Sequence, residues 1–183
     1  MNSRRIAAHA AELPRLLSSP RGTTLLARML GWSFVLPLLK ALLPLPRLVR
    51  LMHTEPRHAH RDLRREELIV RLSRWVFRSR PRNLRDNCLE RALVTYRYLG
   101  GTGAHPELVV GLSRSAQRTI GHVWVTVDGH PVHDEPEGLE RFASILVFGS
   151  DGERLSTGRS IPGDGSTEAT TQTPPLPPAE RPR

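Results

Sequence analysis

Three residues have the types and order needed for a nucleophilic relay: Cys88, His122 and Asp134. A thiol attacks a carbonyl carbon as its thiolate, so it needs a base, and an imidazole serves best when a carboxylate fixes its tautomer. Asn87 is a suitable N-cap and Glu90 stands where a capping-box partner would, which puts Cys88 in the first turn of a helix. Unpaired backbone N–H groups and the positive end of the helix dipole would stabilise a thiolate there. A free cysteine is also among the residues most often buried in cores, so its position alone does not choose between packing and catalysis.

His122 opens the run Val123-Trp124-Val125-Thr126-Val127, whose alternation puts His122, Trp124 and Thr126 on one face of a strand and the valines on the other. Asp134 lies beyond Asp128-Gly129, and hairpin geometry decides whether it can reach the imidazole. A two-residue turn pairs Val127 with His130 and sets Asp134 opposite Val123, on the wrong face. A three-residue loop, Val127-Asp128-Gly129 with Gly129 left-handed, sets Asp134 directly across from His122. The relay therefore predicts the three-residue loop or an equivalent bulge.

The elements that must hold these residues are legible as patterns. Leu89, Ala92, Leu93, Tyr96 and Leu99 line one side of the nucleophile helix, which Gly100 and Gly101 end. Leu108 to Val110, His122 to Val127 and Ser144 to Phe148 read as strands. Upstream, ten arginines against four acids between Glu55 and Arg85 give a local net charge of +6. Leu68, Ile69, Leu72, Trp75 and Val76 form an apolar stripe within that stretch, on an arginine-rich helix. Its charged side is either a solvated face or a docking surface for an acidic peptide.

Between Leu25 and Met52 the chain is leucine-rich, but the uncharged run Met29 to Leu39 is only 11 residues, short of the ~20 that a spanning helix needs. Pro37, Pro44 and Pro46 predict short packed helices or an amphipathic surface segment rather than one long helix. No transmembrane segment is expected, though interfacial membrane contact stays open. After Gly149 the composition turns to Gly, Ser, Thr and Pro, predicting a disordered tail. The division is thus a helical region over 1–60, a core over 61–148 and a tail over 149–183.

With 183 residues and 38% apolar content, one compact domain with flanking segments is expected. Lys40 is the only lysine among 27 basic residues, and the formal charge of +9 admits nucleic acid, an anionic membrane or an acidic polypeptide as partner. One cysteine excludes an internal disulfide and points to a reducing compartment, and Met1 to Arg21 carry no secretory signal, so the expectation is cytoplasmic. His53, His58 and His60 lack partners at metal-ligand spacing, while His105, His130 and His133 read as surface or pocket-lining. No glycine-rich phosphate loop is present, and no cofactor is called for.

Asn87-Cys88-Leu89-Glu90-Arg91-Ala92-Leu93, then Leu108 to Leu112, then Gly121-His122-Val123-Trp124-Val125, then Asp128 to Asp134, occur in an order and spacing that resemble the leader peptidases of lasso-peptide biosynthesis. Those enzymes lie in the transglutaminase-like, papain-related superfamily. The resemblance spans roughly Asp62 to Phe148 and implies an α+β, papain-like core, with the cysteine helix packed on an antiparallel sheet that supplies histidine and aspartate. It places the catalytic set on Cys88, His122 and Asp134. It also implies removal of the leader from a ribosomally made precursor peptide, beside a small leader-recognition protein and a separate ATP-using cyclase. The same triad would equally serve a transglutaminase-like acyltransferase or a deamidase. A third reading is a non-catalytic basic adaptor for nucleic acid or membrane, with Cys88 merely buried.

Overall fold

The computed structural model describes residues 20–56, 60–78, 88–115 and 118–155. Four helices come first: α1 (Pro20–Leu42), α2 (Leu45–Met52), α3 (Leu63–Arg78) and α4 (Cys88–Gly100). They precede β1 (Pro106–Ser115), β2 (Arg118–Val127), β3 (His130–Pro131), the one-turn α5 (Pro136–Leu139), β4 (Ala143–Phe148) and β5 (Arg154–Leu155). The strands form one antiparallel sheet in the order β3-β2-β1-β4-β5.

The core follows from amphipathic patterning. Ile69, Leu72 and Val76 of α3 and Ala92, Leu93, Tyr96 and Leu99 of α4 are buried, and Val123, Val125 and Val127 project from β2 into the same cluster. The valine face of β2 is therefore the core face, as strand alternation requires. Burying side chains of this size contributes roughly 1.5–3 kcal/mol each. α1 and α2 join the same cluster through Met29, Leu36, Leu48, Val49 and Met52, all fully buried.

The leucine-rich segment departs from expectation. Instead of short pieces, α1 runs for 23 residues through Pro37. Proline forfeits one backbone hydrogen bond inside a helix, but Leu25, Leu26, Met29 and Leu36 are packed against α3 and α4, which holds the helix on both sides of the proline. By length and composition alone α1 is long and apolar enough to cross a membrane, a test that a core-packed helix also passes. Here it buries one face in the core, and Lys40 near its end pairs with the buried Glu90 of α4 at 3.2 Å. Asn87, the expected N-cap of α4, lies outside the described residues.

The sequence after Gly149 does not fall away at once. The Gly149 N–H donates to the Glu153 carbonyl, the buried Tyr96 hydroxyl donates to the Gly149 carbonyl at 2.6 Å, and Arg50 pairs with Glu153 at 3.1 Å. These contacts turn the chain back so that β5 adds to β4, a strand that composition alone did not reveal.

Candidate active site

The hairpin after β2 carries the main correction. Thr126 pairs with Pro131 and Val127 with His130, so Asp128-Gly129 is a two-residue turn. Both turn residues have positive φ, 54° and 78°, the arrangement in which twist matches the flanking strands. Continued as a ladder, that register would set Asp134 opposite Val123. The ladder does not continue: β3 ends at Pro131, and the last ladder-like bond runs from the Val132 N–H to the Val125 carbonyl at 3.1 Å. Released from the pleat, the chain turns and brings Asp134 Oδ1 to 3.4 Å from His122 Nε2. The carboxylate reaches the imidazole without the predicted three-residue loop.

The short β3 has a second effect. In an antiparallel strand, residues two apart point their backbone groups to the same edge, so the Val123 N–H faces the edge that β3 leaves vacant. Cys88, at the start of α4, occupies that edge and takes hydrogen bonds from His122 and from the backbone at Val123 and Leu89. Burial pushes the Cys88 thiol up, but these donors and the imidazole's charge together hold it below its ordinary value. His122 goes the other way: its hydrogen bonds to Asp134 and then Cys88 outweigh burial and raise it to about 9. The opposed shifts favour the thiolate and imidazolium forms of the pair over the neutral ones.

The ring is also clamped. His122 stacks on Trp124 with centroids 5.9 Å apart and lies 5.3 Å from Phe142. Gly111 pairs with His122 across the β1–β2 ladder, and a Cβ there would meet the Trp124 ring at 2.7 Å. Glycine at 111 thus gives the indole its place beside the imidazole.

Two neighbours were not singled out from sequence. Arg91, one turn along α4 from Cys88, holds both oxygens of Asp134 at 3.1 and 3.0 Å. Burial would push the Asp134 carboxyl up, but His122 and the Arg91 guanidinium keep it below the usual range. The i,i+3 spacing from Cys88 was the available signal. His133, read as surface or pocket-lining, instead ties helices together: its Nε2 lies 3.0 Å from the Ser73 hydroxyl on α3 and 2.9 Å from the Thr95 hydroxyl on α4. Both hydroxyls donate to carbonyls of their own helices, Val70 and Arg91, an arrangement that suits the tautomer with the proton on Nε2. Nδ1 is buried without a partner. Burial, then the nearby Arg91 and Arg74 charges, lower His133 to about 3, keeping it neutral.

Elsewhere, His53 Nδ1 bonds the Ser150 carbonyl at 2.8 Å, and His60, His105 and His130 are exposed. His58 lies outside the described residues. No group of three or more His, Cys, Asp or Glu able to hold a metal occurs among the described residues.

The start of α4 thus presents a thiol to an imidazole on an antiparallel sheet. Residues 26–147 match the transglutaminase-like superfamily. The chain belongs to that superfamily. The transglutaminase-like match begins inside α1 and ends in β4, so it takes in helices upstream of the segment whose motifs carry the resemblance. The transglutaminase-like superfamily includes cysteine peptidases and is typically built on cysteine-based enzymes, and the α+β architecture here agrees with it. No curated protein and no solved structure matches the chain significantly.

Proposed function

We propose that this protein is a cysteine peptidase that removes the leader from a ribosomally synthesised lasso-peptide precursor, with Cys88 as nucleophile, His122 as acid and base, and Asp134 orienting the imidazole. The observation that carries the chemistry is the placement of His122 between the Cys88 thiol and the Asp134 carboxylate. The thiolate attacks the scissile carbonyl carbon and a C–S bond forms. The C–N bond then breaks as the imidazolium gives its proton to the departing amine. Water, deprotonated by His122, hydrolyses the thioester and restores the thiol. The backbone N–H of Cys88 is the first donor for the oxyanion. The substrate class rests on the resemblance of the Cys88, His122 and Asp134 segments, and with it come the partners: a precursor peptide, a small leader-recognition protein and a separate ATP-using cyclase.

The deciding assay incubates the full chain with a precursor peptide and its recognition protein and reads products by mass. Two fragments, lost in Cys88→Ala, are expected. Unimpaired cleavage by Cys88→Ala would falsify the assignment. An intact peptide of altered mass would instead identify acyl transfer or deamidation by the same residues.

A further inference from the structure

At the opposite end of α4 from Cys88 lies a groove of about 1160 Å³ between α1, the start of α3 and the end of α4. Five arginines line it, Arg21, Arg28, Arg64, Arg65 and Arg97, against a single acid, Asp62. Asp62 is already engaged as the N-terminal cap of α3, accepting the Arg65 backbone N–H at 3.0 Å. Elsewhere on α3 and its approach, Arg61 pairs with Glu66 and Asp128, and Arg71 with Glu67. Arg21, Arg28, Arg64 and Arg65 make no ion pair among the described residues. Four unneutralised guanidinium groups converging on one concavity repel one another, which a chain tolerates most readily where an anionic ligand relieves the repulsion.

The geometry points to a binding site for an acidic peptide segment with apolar side chains interspersed. The groove lining combines these arginines with the apolar Leu25, Val35 and Leu68, which suits an amphipathic acidic helix or strand: carboxylates to the guanidinium groups, whose forks bind them in pairs, and aliphatic side chains to the apolar lining. A nucleic-acid strand fits less well, because stacked bases need free aromatic faces. The Trp32 face is taken by the Arg97 guanidinium, 4.7 Å from the ring centroid, and that guanidinium also donates to the Leu51 carbonyl at 3.0 Å. Ten residues of α4 separate Tyr98, on the groove, from Cys88, a rise of about 15 Å. The site is thus distinct from the thiol, goes beyond the peptidase reading and holds whether or not Cys88 cleaves peptides.

The test measures anisotropy of a fluorescein-labelled 14-residue peptide of glutamates with leucine at every third or fourth position, titrated with the full chain. Beside it run an equally charged peptide with serine replacing leucine and a single-stranded oligonucleotide of matched charge. Arg28→Glu with Arg64→Glu is expected to weaken binding of the leucine peptide at least tenfold. Arg114→Glu with Arg154→Glu, on exposed sheet positions, is expected to leave it within twofold. Prior alkylation of Cys88 should leave it unchanged. If the groove pair fails to fold, Arg28→Gln with Arg64→Gln replaces it, with a smaller loss expected. Equal losses in both charge-reversed pairs would reduce the effect to diffuse attraction and overturn the site. So would serine-peptide binding as tight as the leucine peptide, tighter oligonucleotide binding that the groove pair abolishes, or loss of binding on alkylation.

Discussion

Arg91 grips both carboxylate oxygens of Asp134 from the helix that also carries Cys88. The Cys88 thiol and the Asp134 carboxylate are thereby referenced to one rigid rod, so the imidazole between them is positioned from α4 on two sides. The Arg91 guanidinium contacts Asp134 rather than the thiol, so the role it can play is positioning.

Losing that contact should therefore act on turnover. Arg91→Gln is expected to lower kcat about tenfold with KM unchanged, and Arg91→Lys to recover part, since the single Nη2 that bridges both oxygens can be replaced by the point charge of an ammonium. Steady-state kinetics on the three proteins decides the matter. A rise in KM at constant kcat would assign Arg91 to substrate binding instead.

The pH profile follows from the opposed shifts of thiol and imidazole. The reactive ion pair exists above the lowered Cys88 value and below the His122 value of about 9, so kcat should rise on the acid side and fall through about pH 9. Asp134 is the largest cause of the His122 shift. Asp134→Asn should move the alkaline limb down toward the ordinary histidine value of 6.5 and reduce kcat by roughly 10²–10⁴. An alkaline limb that stays near 9 in the variant would show that the carboxylate does not control the imidazole.

His133 predicts a stability change on acidification. Its folded value is depressed to about 3 from 6.5, so below pH 6.5 the unfolded chain takes up a proton that the folded chain refuses. The contribution is complete above 6.5 and is lost as pH falls toward 3, up to about 5 kcal/mol in total. Gln supplies the same donor from Nε2 but cannot titrate. Urea midpoints at pH 7 and pH 4.5 should fall further in the natural protein than in His133→Gln; parallel falls would exclude this residue as the acid-sensitive group.

Gly111 offers a steric probe of the aromatic clamp. A methyl there must displace the Trp124 ring, at a cost of about 1–3 kcal/mol typical of overpacking, and the ring would carry His122 with it. Gly111→Ala should lower both Tm and kcat, and adding Trp124→Leu should return Tm toward the starting value. If Trp124→Leu brings no recovery, contact with the indole is not the cause.

The sequence disclosed what repeats. The 3.6-residue stripes of α3 and α4, the β-branched alternation of β2 and the ordered Cys88, His122 and Asp134 segments were all readable, because each reflects a local periodicity or a short motif. What it concealed depends on tertiary context. Pro37 is a helix breaker in isolation, but packing on both sides of it outweighs one forfeited hydrogen bond. The Asp128-Gly129 pair favours a two-residue turn, and the three-residue loop follows only if the ladder extends to Asp134. It stops at Pro131. His133 gave no signal, since its partners Ser73 and Thr95 are 60 and 38 residues away in the chain.

The brevity of β3 also bears on how such a site can vary. An acid delivered by a strand changes face with every inserted or deleted residue, because pleat parity is unforgiving. Here the delivering segment is irregular and is fastened at its far end, by Arg91 on Asp134 and by Ser73 and Thr95 on His133. Changes in turn length can be absorbed as slack between Pro131 and that anchorage, so counting cross-strand partners is a poor guide to the acid wherever a hairpin is this short.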